Sequence, residues 1–239
     1  LTLATCDARL QDARMLLHGM IFPGILAMGF VVGEYQPNAR ADSVVRDTVS
    51  YTSRVDTAVR LRASVLRPTR SATSGAGHPA VVIVHGSGAS ARDNPWTTAY
   101  AEALAARGIV VLYPDKRGSG RSGGNWRTSS VMDLAGDTQG ALDVLRRLPA
   151  VDTGRIGVIG FSQGGYVASV VAADERGAAF AAVISGGTAA LREQMVDEIE
   201  MEAVNRGAPL SNSDLTRLRD LYLRAFAFAK SRTGWAAFR

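Results

Sequence analysis

Arg155-Ile-Gly-Val-Ile-Gly-Phe-Ser-Gln-Gly164 is the stretch that decides the fold of this chain. Arg155–Ile159 is a short apolar run, the pattern of a strand buried on both faces of a parallel sheet. It runs straight into Gly160-Phe-Ser-Gln-Gly164, a G-x-S-x-G pentapeptide. A small-residue helix is expected to follow over 163–173. In so sharp a strand-to-helix turn the serine takes up a strained backbone that exposes its Oγ. Side chains two positions before and two after would collide, so both must be glycine. Gly165 and Ala168 then let the helix approach the sheet closely.

Working outward, the same alternation recurs. Ala80–Val84 is a continuous apolar run, a helix is expected over 96–107 up to Gly108, and Ile109–Tyr113 is the next buried strand. A helix over 131–148 precedes Arg155–Ile159, and Phe180–Ser185 reads as a fourth buried strand. Apolar strands alternating with helices make an α/β domain with a mostly parallel sheet. Upstream, residues 44–66 alternate apolar and polar residues and predict two antiparallel strands in a hairpin. A Pro-, Gly- and Ser-rich loop follows to Gly77.

Beyond Gly187 the rhythm changes. Thr188 is positioned to cap a helix with Leu191, Met195, Ile199 and Ala203 four apart, stopped by Gly207 and Pro209. Ser211 and Asp214 have capping-box spacing and open a second helix through Leu215, Leu218, Tyr222 and Phe226. Two successive helices without a strand between them read as a helical cap, here 188–239, over a core spanning 42–187.

Two further loops carry candidate chemistry. His85-Gly-Ser-Gly88 follows the first buried strand, at the carboxyl end of the sheet where ligands gather. Its small residues let the main-chain N–H of Ser87 point at a developing oxyanion, with the N–H of Gln163 as the second donor. His85 precedes the nucleophile and reads as a packing and hydrogen-bonding residue of the loop. Pro114-Asp-Lys-Arg-Gly-Ser-Gly-Arg-Ser122 lacks phosphate-loop spacing and reads as a brace for the site, with Asp115 paired to Arg117 or Arg121.

These three motifs, in this order and spacing, resemble the α/β-hydrolase superfamily. The likeness is to bacterial carboxylesterases and to dienelactone-hydrolase or prolyl-oligopeptidase-like acyl hydrolases. It covers residues 45–187. It implies Ser162 as nucleophile, Ser87 and Gln163 as the oxyanion hole, no metal or organic cofactor, and a small-molecule ester as substrate. A peptidase or thioesterase on the same machinery is the alternative.

The superfamily's chain order of Ser, acid, His is not completed here. His85 is the last histidine, His78 precedes its strand, and His18 lies far upstream. Glu193, Asp197, Glu198, Glu200 and Asp214 fall on amphipathic helices and read as solvated. Two explanations compete: a truncated hydrolase whose acid and histidine lie beyond Arg239, or a non-catalytic binding module on a hydrolase fold. The intact elbow and oxyanion loop favour the first.

With 239 residues, 46% hydrophobic and 21% charged, the chain is neither disordered nor collagen-like. The net charge is +5, but only Lys116 and Lys230 of the 27 basic residues are lysine, and the arginines are scattered. No nucleic-acid partner is implied. Cys6 stands alone, which excludes an intrachain disulfide. Residues 15–33 lack any Asp, Glu, Lys or Arg; Arg9 and Arg14 precede them and Ala39-Arg40-Ala41 follows. This pattern predicts a signal peptide within 1–41, or an uncleaved anchor, and so an exported protein, with the cytoplasm as the alternative.

Overall fold

The structure is a computed structural model, and it describes residues 44–72, 75, 77–186 and 191–231. The expected signal segment, Cys6, His18 and the Thr188 cap lie outside the described residues. Among the described residues no helix is long and apolar enough to cross a membrane.

Among the described residues six strands form one sheet: β1 (Val44–Thr52), β2 (Arg60–Pro68), β3 (His78–Val84), β4 (Val110–Pro114), β5 (Val151–Phe161) and β6 (Phe180–Ile184). Their order is β1-β2-β4-β3-β5-β6. The hairpin β1–β2 is antiparallel and joins β4 antiparallel, whereas β4, β3, β5 and β6 run parallel. The helices are α1 (Pro95–Ala106), α2 (Val131–Arg146), α3 (Gln163–Ala172), α4 (Leu191–Asn205) and α5 (Asn212–Ser231). This is the mostly parallel α/β sheet that the βα rhythm implies, with the antiparallel hairpin at one edge and the α/β-hydrolase architecture that the motif resemblance implies.

Burial explains why the central strands are apolar throughout. Along β3, Ala80, Val82 and Val84 join one core with Leu134, Leu142, Leu145 and Val167, beneath α2 and α3. Val81 and Ile83 point the other way, into a second core with Ala101 and Ala105 of α1. A strand enclosed by helices on both faces has no polar side to alternate with. The helix starts are well made. Asn94 accepts from the N–H groups of Trp96 and Thr97 ahead of α1. Ser130 and Asp133 form a reciprocal capping box at α2.

One expectation is corrected. Phe180–Ser185 is expected to be a buried strand, whereas among the described residues β6 lies at the sheet edge, with Phe180 and Val183 45% and 43% exposed. It pairs with β5 along one side only, and an apolar run by itself does not record which strands receive a covering layer. At the end of the described chain, Ser211 and Asp214 do cap α5 reciprocally. Leu215, Leu218, Tyr222 and Phe226 form its half-buried face. Among the α4 residues whose burial is described, Val196 is the buried one, one position off the expected row, with Met195, Ile199 and Ala203 half-buried.

Candidate active site

Strand register assembles the site. Val84 pairs with Gly160, and Phe161 with Ile184, so three strand ends lie side by side. The residues that follow them, His85–Ser87, Ser162 and Ser185, therefore meet at the carboxyl edge of the sheet. Ser162 and Ser185 are the two non-glycine residues with positive φ among those described, at 49° and 52°. Such a backbone is costly for an L-residue and persists only where the surroundings impose it.

The surroundings at Ser162 do so. A Cβ on Gly160 would stand 2.1 Å from the carbonyl oxygen of Gly164. One on Gly164 would stand 2.4 Å from the carbonyl oxygen of Val84. The Ser162 N–H donates to the Ile184 carbonyl at 3.0 Å, and the Gly165 N–H donates to the Ser162 carbonyl at 2.8 Å. Both main-chain bonds hold the turn. The Ser162 hydroxyl does not cap α3, and the residue is exposed.

The loop after β3 abuts the serine: a Cβ on Gly86 would lie 3.4 Å from Ser162 Cβ. Ser87 belongs to this loop, and Gln163 opens α3 directly after Ser162. Beside them a cavity of about 350 Å³ is lined by Gly86, Ser87, Trp96, Tyr100, Phe161 and Ile184, among others. Tyr100 meets Phe161 edge to face, with ring centroids 4.9 Å apart.

His85 has both ring nitrogens engaged. Nε2–H donates to the Pro114 carbonyl at 2.5 Å, which leaves Nδ1 to accept from the Ser90 hydroxyl at 3.0 Å. Burial pushes its pKa down, so the ring is neutral near pH 7. Both bonds tie the ring to the loop and to the end of β4. His78 lies at the opposite end of β3, bonded to the Gly108 and Arg70 carbonyls.

The 114–122 turn differs in detail from the expected pairing. Asp115 accepts from the main-chain N–H groups of Arg92 at 2.7 Å and Arg121 at 2.9 Å, and only approaches the Arg92 guanidinium at 3.9 Å. Arg117 pairs instead with Asp137 on α2, through two bonds of 2.7 and 2.6 Å. A contiguous sequence suggests contiguous partners, whereas the tertiary fold offered Arg117 a carboxylate twenty positions away.

Lys116 escaped the sequence reading. Its Nζ donates to the Gly86 carbonyl at 2.7 Å and to Gln163 Oε1 at 2.8 Å. Its main-chain N–H donates to the Ser90 carbonyl at 2.9 Å. Burial lowers its pKa to about 8. A signal was present: one of only two lysines in an arginine-dominated chain stands at this position.

The chain is similar to several known proteins. Residues 56–225 match the family described as X-Pro dipeptidyl-peptidase (S15 family). Over 79 residues the chain is 40% identical to the uncharacterized protein PA2218 of Pseudomonas aeruginosa, a match covering 32% of this chain and 21% of that protein. The crystal structure of PA2218 superposes with a TM-score of 0.54 at 26% identity, covering 80% of this chain and 56% of that one. The Pyrococcus furiosus esterase PF2001 superposes with a TM-score of 0.53 at 24% identity, covering 78% and 64%. The chain thus spans less than two thirds of the length of these relatives.

Proposed function

Because the chain belongs to the X-Pro dipeptidyl-peptidase (S15) family, we propose that it carries the nucleophile of a serine hydrolase that cleaves carboxylic esters through an acyl-enzyme. The observation that carries this reading is Ser162, held at φ 49° between Gly160 and Gly164 and set against the Gly86–Ser87 loop. A strained, exposed serine facing a loop of main-chain donors is the arrangement acyl transfer requires.

In this reading Ser162 Oγ attacks the ester carbonyl carbon. The carbonyl oxygen becomes an oxyanion held by the N–H groups of Ser87 and Gln163. Collapse expels the alcohol, which takes up the serine's proton by way of a general base, and water then releases the acid and regenerates Ser162. A serine hydroxyl needs that base. With both nitrogens of His85 committed and His78 at the far end of the sheet, the reading takes the base and its acid from outside the described residues.

The family's description favours one second reading, hydrolysis of a peptide bond after X-Pro. The lining of the cavity supports the ester instead. An uncharged acyl or alkoxy group suits Trp96, Tyr100, Phe161 and Ile184.

The test is labelling by a fluorophosphonate and turnover of a short-chain aryl ester, each compared with Ser162→Ala. Loss of both in the variant is expected. Equal labelling and turnover would remove Ser162 from the chemistry. Preference for an X-Pro amide over the aryl ester would select the peptidase reading.

A further inference from the structure

The oxyanion hole of the proposed mechanism consists of two main-chain N–H groups, and the side chain of Lys116 reaches the residues that carry both. The carbonyl of Gly86 and the N–H of Ser87 belong to one peptide unit. In a trans peptide they point in opposite directions, and resonance couples them. An ammonium group bonded to that carbonyl at 2.7 Å fixes the plane of the peptide. It also draws charge toward the oxygen and makes the N–H on the far side a stronger donor. The same ammonium holds Gln163 Oε1 at 2.8 Å, anchoring the residue that supplies the second N–H.

We propose that Lys116 is a positioning residue for the oxyanion hole: it orients and polarises the Gly86–Ser87 peptide and ties it to Gln163, without touching the substrate. This rests on the serine-hydrolase reading above.

The surroundings suit the role. Lys116 is 6% exposed and is tethered by its own main chain to Ser90, so the head group has little freedom to leave. Its side chain meets carbonyl oxygens rather than a carboxylate. A lysine paired with a carboxylate would have its charge largely neutralised at the site, whereas here the charge remains available to the peptide dipole. The titratable and charged groups around it are Tyr51, His85, Asp115, Arg117 and Asp137, which line one small cavity with it. Arg117 and Asp137 satisfy each other, Asp115 is held by the N–H groups of Arg92 and Arg121, and His85 is neutral. Among the described residues, Lys116 is therefore the cation of this cluster whose ammonium has no carboxylate partner.

Two measurements on the protein test the proposal separately from the reading beneath it. The first is the rate at which a fluorophosphonate labels Ser162 at pH 7. Lys116→Met is expected to lower it on the order of 10²-fold, the scale of losing one oxyanion donor. Lys116→Arg is expected to recover most of the loss, because it restores a charged donor. The second is the amide resonance of Ser87, followed by NMR as pH rises. It is expected to shift with a midpoint near 8 as the Lys116 ammonium is lost. That transition should vanish in Lys116→Arg, whose guanidinium does not titrate in this range.

Labelling of Lys116→Met at the wild-type rate would overturn the proposal. So would a Ser87 transition that persists in Lys116→Arg. Wild-type labelling that is independent of Ser162 would instead overturn the hydrolase reading, and the Ser87 titration would still decide whether Lys116 governs that peptide. The Arg variant and the wild-type titration keep the question open to refutation even where Lys116→Met does not fold.

Discussion

Gly160 and Gly164 are so close that a β-carbon on the first would stand 2.1 Å from the carbonyl oxygen of the second. Strand β5 and helix α3 converge here through a turn with room for backbone alone, and that convergence lifts Ser162 out at φ 49°. The steric demand is severe because the obstacle is main chain, which cannot rotate aside.

Gly160→Ala therefore forces the turn open. It is expected to cost about 2–3 kcal/mol of stability, at the upper end for overpacking, and to abolish Ser162 labelling. Urea unfolding alongside fluorophosphonate labelling checks both. Wild-type labelling in a normally stable variant would refute the steric account of the elbow.

The Arg117–Asp137 pair is buried, with side chains 5% and 11% exposed. Asp137→Ala leaves the guanidinium with only the Asp133 carbonyl and the Ser129 and Ser53 hydroxyls. The expected loss is about 3–5 kcal/mol, the scale of stranding one partner of a buried pair. The double variant Arg117→Met/Asp137→Leu should recover much of it. Additive losses in denaturant titrations would contradict this.

At the start of α2, bonds from the main-chain N–H and then the hydroxyl of Ser130 hold the Asp133 carboxyl below its usual range. Its ionised form is thus favoured by folding. The stabilisation is present above the ordinary carboxylate pKa and disappears as pH falls through the depressed one. Asp133→Asn is expected to be less stable than wild type at pH 7 by about 1 kcal/mol, the worth of a cap. The gap should close in thermal melts as pH falls through that depressed value.

For Lys116 the sign with pH is the same, because its folded pKa is also depressed, although here folding disfavours the charged form. Its folded pKa is about 8 against an ordinary 10.5, so between these values the unfolded chain holds more protons. Stability due to this residue rises across that window. The difference in unfolding free energy between wild type and Lys116→Met should grow in favour of wild type from pH 8 to 10. Tyrosine ionisation is common to both proteins and cancels. A flat difference would refute the assigned burial of the ammonium.

Tyr100 packs edge to face on Phe161 along the wall of the cavity beside Ser162. Tyr100→Ala should raise KM for an aryl ester about tenfold, from an aromatic contact worth about 1 kcal/mol or slightly more, while kcat changes little. An effect confined to kcat would place Tyr100 in the chemistry instead of the binding wall.

Much of this molecule was legible from residue order because the rules involved are local. Apolar runs of strand length, helices between them, the hairpin over 44–66 and the glycines of the elbow follow from sterics and periodicity within a few positions. The serine-bearing turn belongs to that class, since the collision that demands glycine at 160 is with Gly164. Tertiary structure alone decided the rest. Lys116 meets Gly86 and Gln163 across separations of 30 and 47 residues, and Arg117 chooses Asp137 over Asp115. Polar side chains reach as far as the register of parallel strands and the packing of crossover helices bring them together. Sequence spacing carries no measure of that distance.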